Sequence, residues 1–426
     1  VRIDAGRDVA SLRAIGGVDV ATLAQAYGTP LLVLDGEQLD ATLEAFAQLQ
    51  SVRKIEVSYA AKALLFVALA KRIARFGLGI DVCSLGELLT VERADVAPEK
   101  LTLHGCGKTD EELQAACAGR VGRIVVDGLE EIERLATLAA RDGCRAQILV
   151  RVNTGLEAHT HAYVRTGGED SKFGVPLAGL AEVLAALAAA PALELAGIHS
   201  HIGSQIFDGT AFLENVPLAF DAYARVLAHA PAARTMIFGG GFGVDPHPDA
   251  EEFPVDAVLG DVARAVAREA SVRGLPEPQL GIEPGRAIVA RAGTSLYRVL
   301  AVKQNGTRRF AIVDGGLADN PRPALYGAYH HPRLAGREST APAREFAICG
   351  RSCESDRLVD APLPGDLRAD DLLALETTGA YTYSMASNYN RFPRPAVVIA
   401  QRQSHRAVVR RETSAQLLDN DVIEDD

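Results

Sequence analysis

The sequence predicts an α/β protein: a (β/α)8 barrel of the TIM type followed by a second, C-terminal β-domain. Three observations point there. Eight short, β-branched apolar runs each precede an Ala/Leu/Glu/Arg-rich helical stretch, and strands that alternate with helices imply parallel pairing. The eight units span about 230–250 residues, the size of such a barrel. After about residue 290 the rhythm changes to strands separated by Gly/Pro/Asp-rich turns, with few helices between them. The alternation also permits an open doubly wound sheet, but no early G-x-G-x-x-G turn supports that arrangement.

In chain order the barrel runs are Ile55–Tyr59, Leu78–Val82, Leu101–His104, Arg123–Asp127, Ile148–Val152, Leu195–Ser200, Thr235–Phe238 and Leu280–Glu283. The segment before Pro30 lies outside the rhythm and is free to add a helix or a strand to either domain. The second domain is expected to contain strands at Ser295–Val302, Arg309–Val313, Glu345–Cys349, Leu372–Glu376 and Ala396–Ala400. The expected division is residues 30–288 for the barrel and residues 1–29 plus 289–426 for the β-domain. No low-complexity linker separates the two, and the acidic end Asp419–Asp426 is expected to fray.

Composition narrows the function classes. At 426 residues and 48% hydrophobic content the chain can bury a large core, which excludes disorder as its main state. The longest apolar stretch, Leu177–Leu195, is Ala-rich, carries Glu182 and meets Pro191, so it reads as a packed helix and argues against a membrane span. A net charge of −11 argues against nucleic acid as the partner while leaving room for a local basic pocket. The six cysteines form no C-x-x-C pair, and no charged segment leading into an apolar one opens the sequence. A cytoplasmic protein with reduced thiols is expected.

A barrel concentrates chemistry just past the C-terminal ends of its strands, and four runs end in unusual residues. They end in Tyr59-Ala60-Ala61-Lys62-Ala63, His199-Ser200-His201-Ile202-Gly203-Ser204-Gln205, Gly239-Gly240-Gly241-Phe242-Gly243 and Glu283-Pro284-Gly285-Arg286. Most lysines are solvated. Lys62, however, is flanked by Ala60, Ala61, Ala63 and Leu64, an environment expected to desolvate the ammonium and lower its pKa. A Schiff-base lysine requires that. The Gly239–Gly241 loop can cradle a phosphate with backbone N–H groups, although glycine clusters also mark plain tight turns. A buried lysine and a phosphate cradle at one barrel face suggest a phosphorylated aldehyde cofactor, pyridoxal phosphate. His201 could stack on its ring, Glu283 could pair with the ring nitrogen, and Arg286 is a natural carboxylate fork.

Each cluster admits another reading. His199 and His201 could be metal ligands, but a metal-dependent barrel hydrolase would want them near the first strand, with further histidines at runs seven or eight. His159 and His161 lie in a polar stretch and read as solvated. In the β-domain, Arg322 and Tyr326 stand one helical turn apart, Cys353 sits beside Glu354, and Gly379-Ala380-Tyr381 precedes Ser384–Asn390. Each alone is compatible with ordinary loop chemistry, and a lone cysteine is usually a small buried hydrophobe.

Taken together, these motifs resemble the fold-type III pyridoxal-phosphate decarboxylases, and within them the diaminopimelate decarboxylases. The resemblance runs from about Thr29 to Pro395. It rests on Tyr59–Ala63, Glu169–Gly174, His199–Gln205, Gly239–Gly243, Glu283–Arg286, Arg322-Pro323 with Leu325-Tyr326, Cys353–Ser355 and Gly379–Tyr381 with Met385–Asn390. It implies an alanine racemase-like barrel with a second β-domain. It also implies decarboxylation of meso-2,6-diaminopimelate to L-lysine and CO2, the last step of lysine biosynthesis. Lys62 would hold the cofactor as a Schiff base and His201 would stack on the ring. Ser204, Gly239, Gly240, Gly241, Gly285 and Arg286 would hold the phosphate and ring, with Glu283 at the ring nitrogen. Arg286, Arg322 and Tyr326 would take the distal carboxylate of the small amino-acid substrate, and Glu354 its distal ammonium. Tyr381 would touch cofactor and substrate, and Cys353 would return a proton after CO2 leaves. The Cys353-Glu354 segment would come from the second subunit of a homodimer with shared active sites.

The chain departs from the family at two places. His104-Gly105-Cys106-Gly107-Lys108 stands where the family often has His-Gly-Asn-Asn-Lys, and Cys353-Glu354-Ser355-Asp356-Arg357 where it usually has Cys-Glu-Ser-Gly-Asp. The lost glycine is expected to alter the loop, and Arg357 to add a cation near the site. Alternatives are a related decarboxylase acting on ornithine, lysine, arginine or a carrier-linked amino acid, or a non-catalytic homologue acting as a binding protein. A racemase of this barrel type would be expected to carry arginine at the position of Glu283. A non-catalytic homologue would be expected to lack Lys62 or Cys353, and both are present.

Overall fold

The computed structural model describes residues 11–156, 171–247 and 249–422. His159, His161, Glu169 and Asp170 lie outside the described residues. Among the described residues no helix is long and apolar enough to cross a membrane. The chain forms two compact units, Leu43–Val244 with Glu252–Ala287, and Val1–Thr42 with Asp245–Glu251 and Ile288–Asp426.

The first unit is a closed parallel barrel. Its strands are Glu56–Ala60, Gly79–Val82, Leu101–Leu103, Arg123–Val126, Ala146–Asn153, Leu193–Ser200, Thr235–Gly239 and Gln279–Glu283, and the last pairs with the first through Gly281 and Glu56. All eight expected runs are present, and every pairing in the ring is parallel. Val57, Ile80, Val82, Leu103, Ile124, Val126, Ile148 and Val150 are fully buried. Burial of each such side chain is worth roughly 1.5–3 kcal/mol relative to exposure. The crossover helices follow local rules. Thr109 and Glu112 form a capping box at the start of Asp110–Cys117. Leu129–Asp142 carries Glu130 and Glu131 in its first turn and Arg141 in its last, matching the helix dipole, and stops at Gly143 in the left-handed conformation.

One irregularity positions the chemistry. The strand Leu193–Ser200 slips register against Ala146–Asn153 between Leu195 and Gly197, a bulge that re-aims the residues after it. His199 then lies in register with Arg151 on one side and Ile237 on the other. Neighbours in register on parallel strands point to the same face. Ile237 clusters with Val125 and Leu149 in the core, so His199 points into that interior. Gly281 is in register with Ile237, which puts Glu283, two residues on, on the same face.

The second unit is built on a mixed sheet. The long strand Gly293–Asn305 pairs first with Leu31–Asp35 and Leu372–Leu375, then with Arg308–Val313. Beyond these lie Ala343–Cys349 and Arg357–Pro364 on one side and Ala396–Gln401 and Ser404–Val409 on the other. Two cores fill it, one around Val20, Leu23, Leu31, Val33 and Leu296, the other around Tyr297, Val313, Phe346, Leu363 and Leu373. The strand Leu31–Asp35 was expected within the barrel, whose boundary was set at residue 30; it lies instead between Gly293–Asn305 and Ala396–Gln401. Its run of buried residues from Leu31 to Leu34 suits a strand covered on both faces. The helix Gly36–Arg53 that follows gives it the look of one more strand–helix unit.

Candidate active site

The C-terminal end of the barrel gathers the expected residues and several others. At the opposite end, Arg123 pairs with Glu56 and donates to Thr102 Oγ1 at 3.0 Å, an ion pair that ties strands together. One step up the interior, Ser58 Oγ donates to Asp81 Oδ1 at 2.6 Å. Above that stand His104, His199 and Glu283. His199 Nε2 is 2.9 Å from Glu283 Oε2, and His104 Nε2 is 3.0 Å from Glu283 Oε1. The two imidazoles meet edge to face with ring centres 5.0 Å apart.

The charges in this layer are set by burial and by each other. Burial pushes the Glu283 carboxyl up, but His104 and His199 more than offset it and hold Glu283 well below the ordinary carboxylate range. Asp81 moves the other way: burial, then the Glu283 charge, raise it well above that range. The two shifts run in opposite directions, so the negative charge is favoured on Glu283 over Asp81. Burial pushes His104 down to about 4 against the pull of Glu283. His201 is also held well below its usual value, by burial and then by the charges of Lys62 and Arg151. His104 and His201 are neutral at pH 7.

The loops close over this layer. Ile206 N donates to Gly241 O and Gly243 N to Ile206 O, each at 2.9 Å, so the loop after His199 is stitched to the glycine loop. A Cβ at Gly239 would collide with His201 Nδ1, and one at Gly241, which has φ +99, would strike the Gly203 carbonyl. Arg286 Nη2 reaches Ser204 Oγ at 3.4 Å. Gly285 packs against Ala60 and Ala63. Lys62 sits in the short 3-10 turn Ala61–Ala63 between two buried alanines, yet its own side chain is exposed. The burial expected from its alanine neighbours is not seen, since the alanines bury their own methyl groups while Lys62 keeps an exposed surface. Its charge still reaches His201, Cys83 and Glu87.

The second unit holds the remaining candidates. Arg322 opens the short helix Arg322–Tyr326 and is buried, with its guanidinium 5.0 Å from the Tyr326 ring centre and 5.5 Å from that of Tyr381. Tyr381 is held at φ +60, a costly conformation for a bulky residue and one that clusters at functional sites. Cys353 and Glu354 are exposed. Their loop is fastened by Asn390, whose Oδ1 accepts from Cys353 N at 3.1 Å, and by Tyr389, whose hydroxyl donates to Glu354 Oε1 at 2.7 Å. Asp356 is buried beneath the loop, accepting from Leu317 N at 2.7 Å and from Ser352 Oγ at 2.6 Å. Arg357 heads a strand and pairs with Asp360, so its expected free cation is taken up there.

Sequence reasoning named Glu283 but missed His104, Asp81 and Arg151 as its surroundings. The available signal was position: Asp81 lies in the second barrel strand, and His104 directly follows the third. His104, His199 and Glu283 also bring one donor atom each within 4.8 Å of one another, a grouping that a metal could use. Their contacts of 2.9 and 3.0 Å are hydrogen-bond separations. Donors that share a tetrahedral ion at about 2.0–2.1 Å stand roughly 3.3 Å apart.

Pyridoxal phosphate fits these residues on three counts. Among the described residues, Glu283 Oε1 is buried without a hydrogen bond, since His104 lies at ion-pair distance but out of line. The glycine loop leaves no room for side chains where a phosphate cradle needs bare backbone. Lys62 stands at the same end of the barrel. Comparisons with known proteins agree. Residues 37–290 match the family model described as "Pyridoxal-dependent decarboxylase, pyridoxal binding domain". The chain is 42% identical to a diaminopimelate decarboxylase of Actinosynnema pretiosum subsp. auranticum, over 96% of this chain and 92% of that one. It is 40% identical to a diaminopimelate decarboxylase of Mycobacterium tuberculosis, over 98% and 96%. The crystal structure of the Helicobacter pylori diaminopimelate decarboxylase (I148L mutant), complexed with L-lysine, superposes with a TM-score of 0.87 at 30% identity, covering 94% of this chain and 98% of that one. This chain belongs to the pyridoxal-dependent decarboxylase family, with pyridoxal phosphate as its cofactor.

Proposed function

We propose that this enzyme decarboxylates meso-2,6-diaminopimelate to L-lysine and CO2, the last step of lysine biosynthesis. The observation that carries the substrate is Arg322, a buried guanidinium held against Tyr326 and Tyr381. Arginine cannot shed its charge and presents a planar fork to a carboxylate. A substrate whose far end is itself an amino acid offers a carboxylate to Arg322, Tyr326 and Arg286 and an ammonium to Glu354. Ornithine, lysine or arginine carries no carboxylate at that end of the molecule.

Pyridoxal phosphate, when bound, supplies a ring that takes up the electron pair of the breaking Cα–carboxylate bond. The residues of the chain prepare and finish that step. Lys62 would hold the aldehyde of the cofactor through its amine. Glu283, ionised, would face the ring nitrogen and favour its protonated form, and His201 would cover one ring face. Ser204, Gly239, Gly240, Gly241, Gly285 and Arg286 hold the phosphate and ring end. Tyr381 borders both cofactor and substrate, and the Cys353 thiol delivers the proton that replaces CO2 on Cα.

The barrel supplies the cofactor residues, and the β-domain, with Leu31–Asp35 included, supplies the substrate residues. The exposure of Cys353 and Glu354 supports a homodimer with shared sites, since proton delivery to a carbanion needs a site closed to bulk water. A biosynthetic role of this kind supports the cytoplasm as the place where the enzyme works. The test is to incubate the purified protein with pyridoxal phosphate and meso-diaminopimelate and measure CO2 and L-lysine, with L-ornithine, L-lysine and L-arginine in parallel. Turnover of meso-diaminopimelate alone is expected. Turnover only of another amino acid would overturn the substrate and leave the cofactor in place.

A further inference from the structure

From the geometry of the barrel interior we infer that His104 and His199 are positioning residues that grip the Glu283 carboxylate and thereby keep the cofactor's ring nitrogen protonated. This rests on the cofactor reading above and extends it to two histidines that the reading gave no role toward the cofactor.

The reasoning starts from cost. An ionised carboxylate inside a barrel is expensive unless it is hydrogen-bonded. Glu283 is nine-tenths buried, and its side chain meets an imidazole at each oxygen, His199 at 2.9 Å and His104 at 3.0 Å. Both histidines are themselves buried. His199 Nε2 can donate to Oε2 in a neutral ring, because its Nδ1 has no partner among the described residues and is free to be the bare nitrogen. Oε1 keeps His104 beside it without a formed hydrogen bond, so one carboxylate oxygen remains able to accept from a ring N–H.

The surrounding charges work in both directions. Asp81, 3.9 Å from His104 Nε2, opposes a second negative charge. Lys62, Arg123 with Glu56, Arg151, Cys83 and His201 complete the titratable surroundings. Without the His199 N–H, only His104, which forms no hydrogen bond to Oε1, is left to oppose burial at Glu283. The carboxyl then takes a proton, and the ring nitrogen loses the anion that held its own.

The test uses the reconstituted holoenzyme carrying cofactor labelled with 15N at the ring nitrogen, and reads that signal by NMR. Glu283→Gln supplies the signal of a ring without its proton. His199→Leu is expected to move the signal to the Glu283→Gln position and lower kcat by roughly 10- to 100-fold. His199→Gln, which keeps an N–H donor, is expected to return it toward the wild-type position. A His199→Leu enzyme that holds its cofactor and keeps the wild-type ring signal would overturn the inference, whatever its turnover. If that variant does not fold, the wild-type enzyme still decides: its ring signal should stay at the protonated position between roughly pH 6 and 9, away from ordinary carboxylate and lysine titration. Loss of the ring proton within that range overturns the inference. A wild-type protein that takes up no cofactor overturns the cofactor reading instead, a distinct outcome.

Discussion

The two units carry their reactive residues in opposite ways. In the barrel, Asp81, His104 and His199 are buried, and the nine-tenths buried Glu283 carboxylate lies between the two imidazoles before any small molecule arrives. In the second unit, Cys353 and Glu354 stand on an exposed loop, and only Arg322 is buried. The difference follows from what each set must do. Tuning a ring's electronics needs a low dielectric and groups that do not reorganise during the reaction. Taking in and releasing a substrate needs groups that open to solvent for part of the cycle. The division predicts separable defects: barrel variants should change the state of the cofactor, and second-unit variants should change turnover or affinity with the cofactor unaltered.

The largest effect tests the barrel side. Lys62→Ala should abolish both the visible absorbance of the lysine-bound cofactor and measurable turnover, because no other described lysine follows the first barrel strand so closely. Retention of that absorbance in Lys62→Ala would break the division at its root. On the other side, Cys353→Ala should lower kcat by roughly 10²- to 10⁴-fold, the range for loss of a positioned proton donor, while the absorbance stays unchanged. A spectral change in Cys353→Ala would blur the two roles. Arg322→Gln should raise KM for diaminopimelate by roughly 10- to 100-fold, the worth of a charge-assisted hydrogen bond. An equal loss in kcat with KM unchanged would instead assign Arg322 to the reacting bond.

How far the sequence could be read follows the same division. The barrel runs were legible because each is a short apolar burst followed by a helix, and its loops carry Lys62, His201, the glycines and Glu283 in one ordered series. The histidine grip was harder to see, since His104 and Asp81 are single polar residues in or just after apolar strands, ordinary until Glu283 is placed beside them. Leu31–Asp35 was assigned to the barrel because pairing partners more than 250 residues away leave no local trace. In the second unit, Arg357–Pro364 contains two prolines and an aspartate, and Ser404–Val409 opens on three polar residues before three apolar ones. Both are edge strands, where apolar alternation is weakest. Lys62 was expected to be desolvated from its alanine neighbours, but burial of a neighbour says little about where a long flexible side chain goes.

The Cys353 loop itself can be loosened without touching its reactive groups. Asp356 lies under it in a niche formed by Gly316 and Gly350, where any side chain on either glycine would collide with its carboxylate. It replaces the glycine expected at that place and holds the loop by accepting from Leu317 N and Ser352 Oγ. Asp356→Ala should cost roughly 1.5–3 kcal/mol of stability, as loss of hydrogen bonds to a buried charged group does. A matching fall in melting temperature, with lower kcat and unchanged cofactor absorbance, would sharpen the division. An unchanged melting temperature would show that the loop holds by Asn390 and Tyr389 alone.

The smallest effect belongs to Asp319, in the second unit. Burial pushes its carboxyl from 3.8 up to about 7, against the hydrogen bonds it accepts from Tyr297 Oη at 2.6 Å and Gly316 N at 2.7 Å, with Asp314 and Asp356 adding like charge. Between about pH 4 and about 7 the folded protein therefore holds a proton at this site that the unfolded chain has released. Stability then falls as pH rises through that window: the contribution is complete below the unfolded value and lost above the folded one. Asp319→Asn carries no titrating proton and should flatten this part of the melting-temperature profile while leaving its acid limb in place. Because the barrel's Glu283 is shifted downward instead, its own contribution is lost on acidification. Glu283 and Asp319 thus pull the pH profile in opposite directions, and an unchanged slope in Asp319→Asn would mean that the neutral-pH decline arises elsewhere.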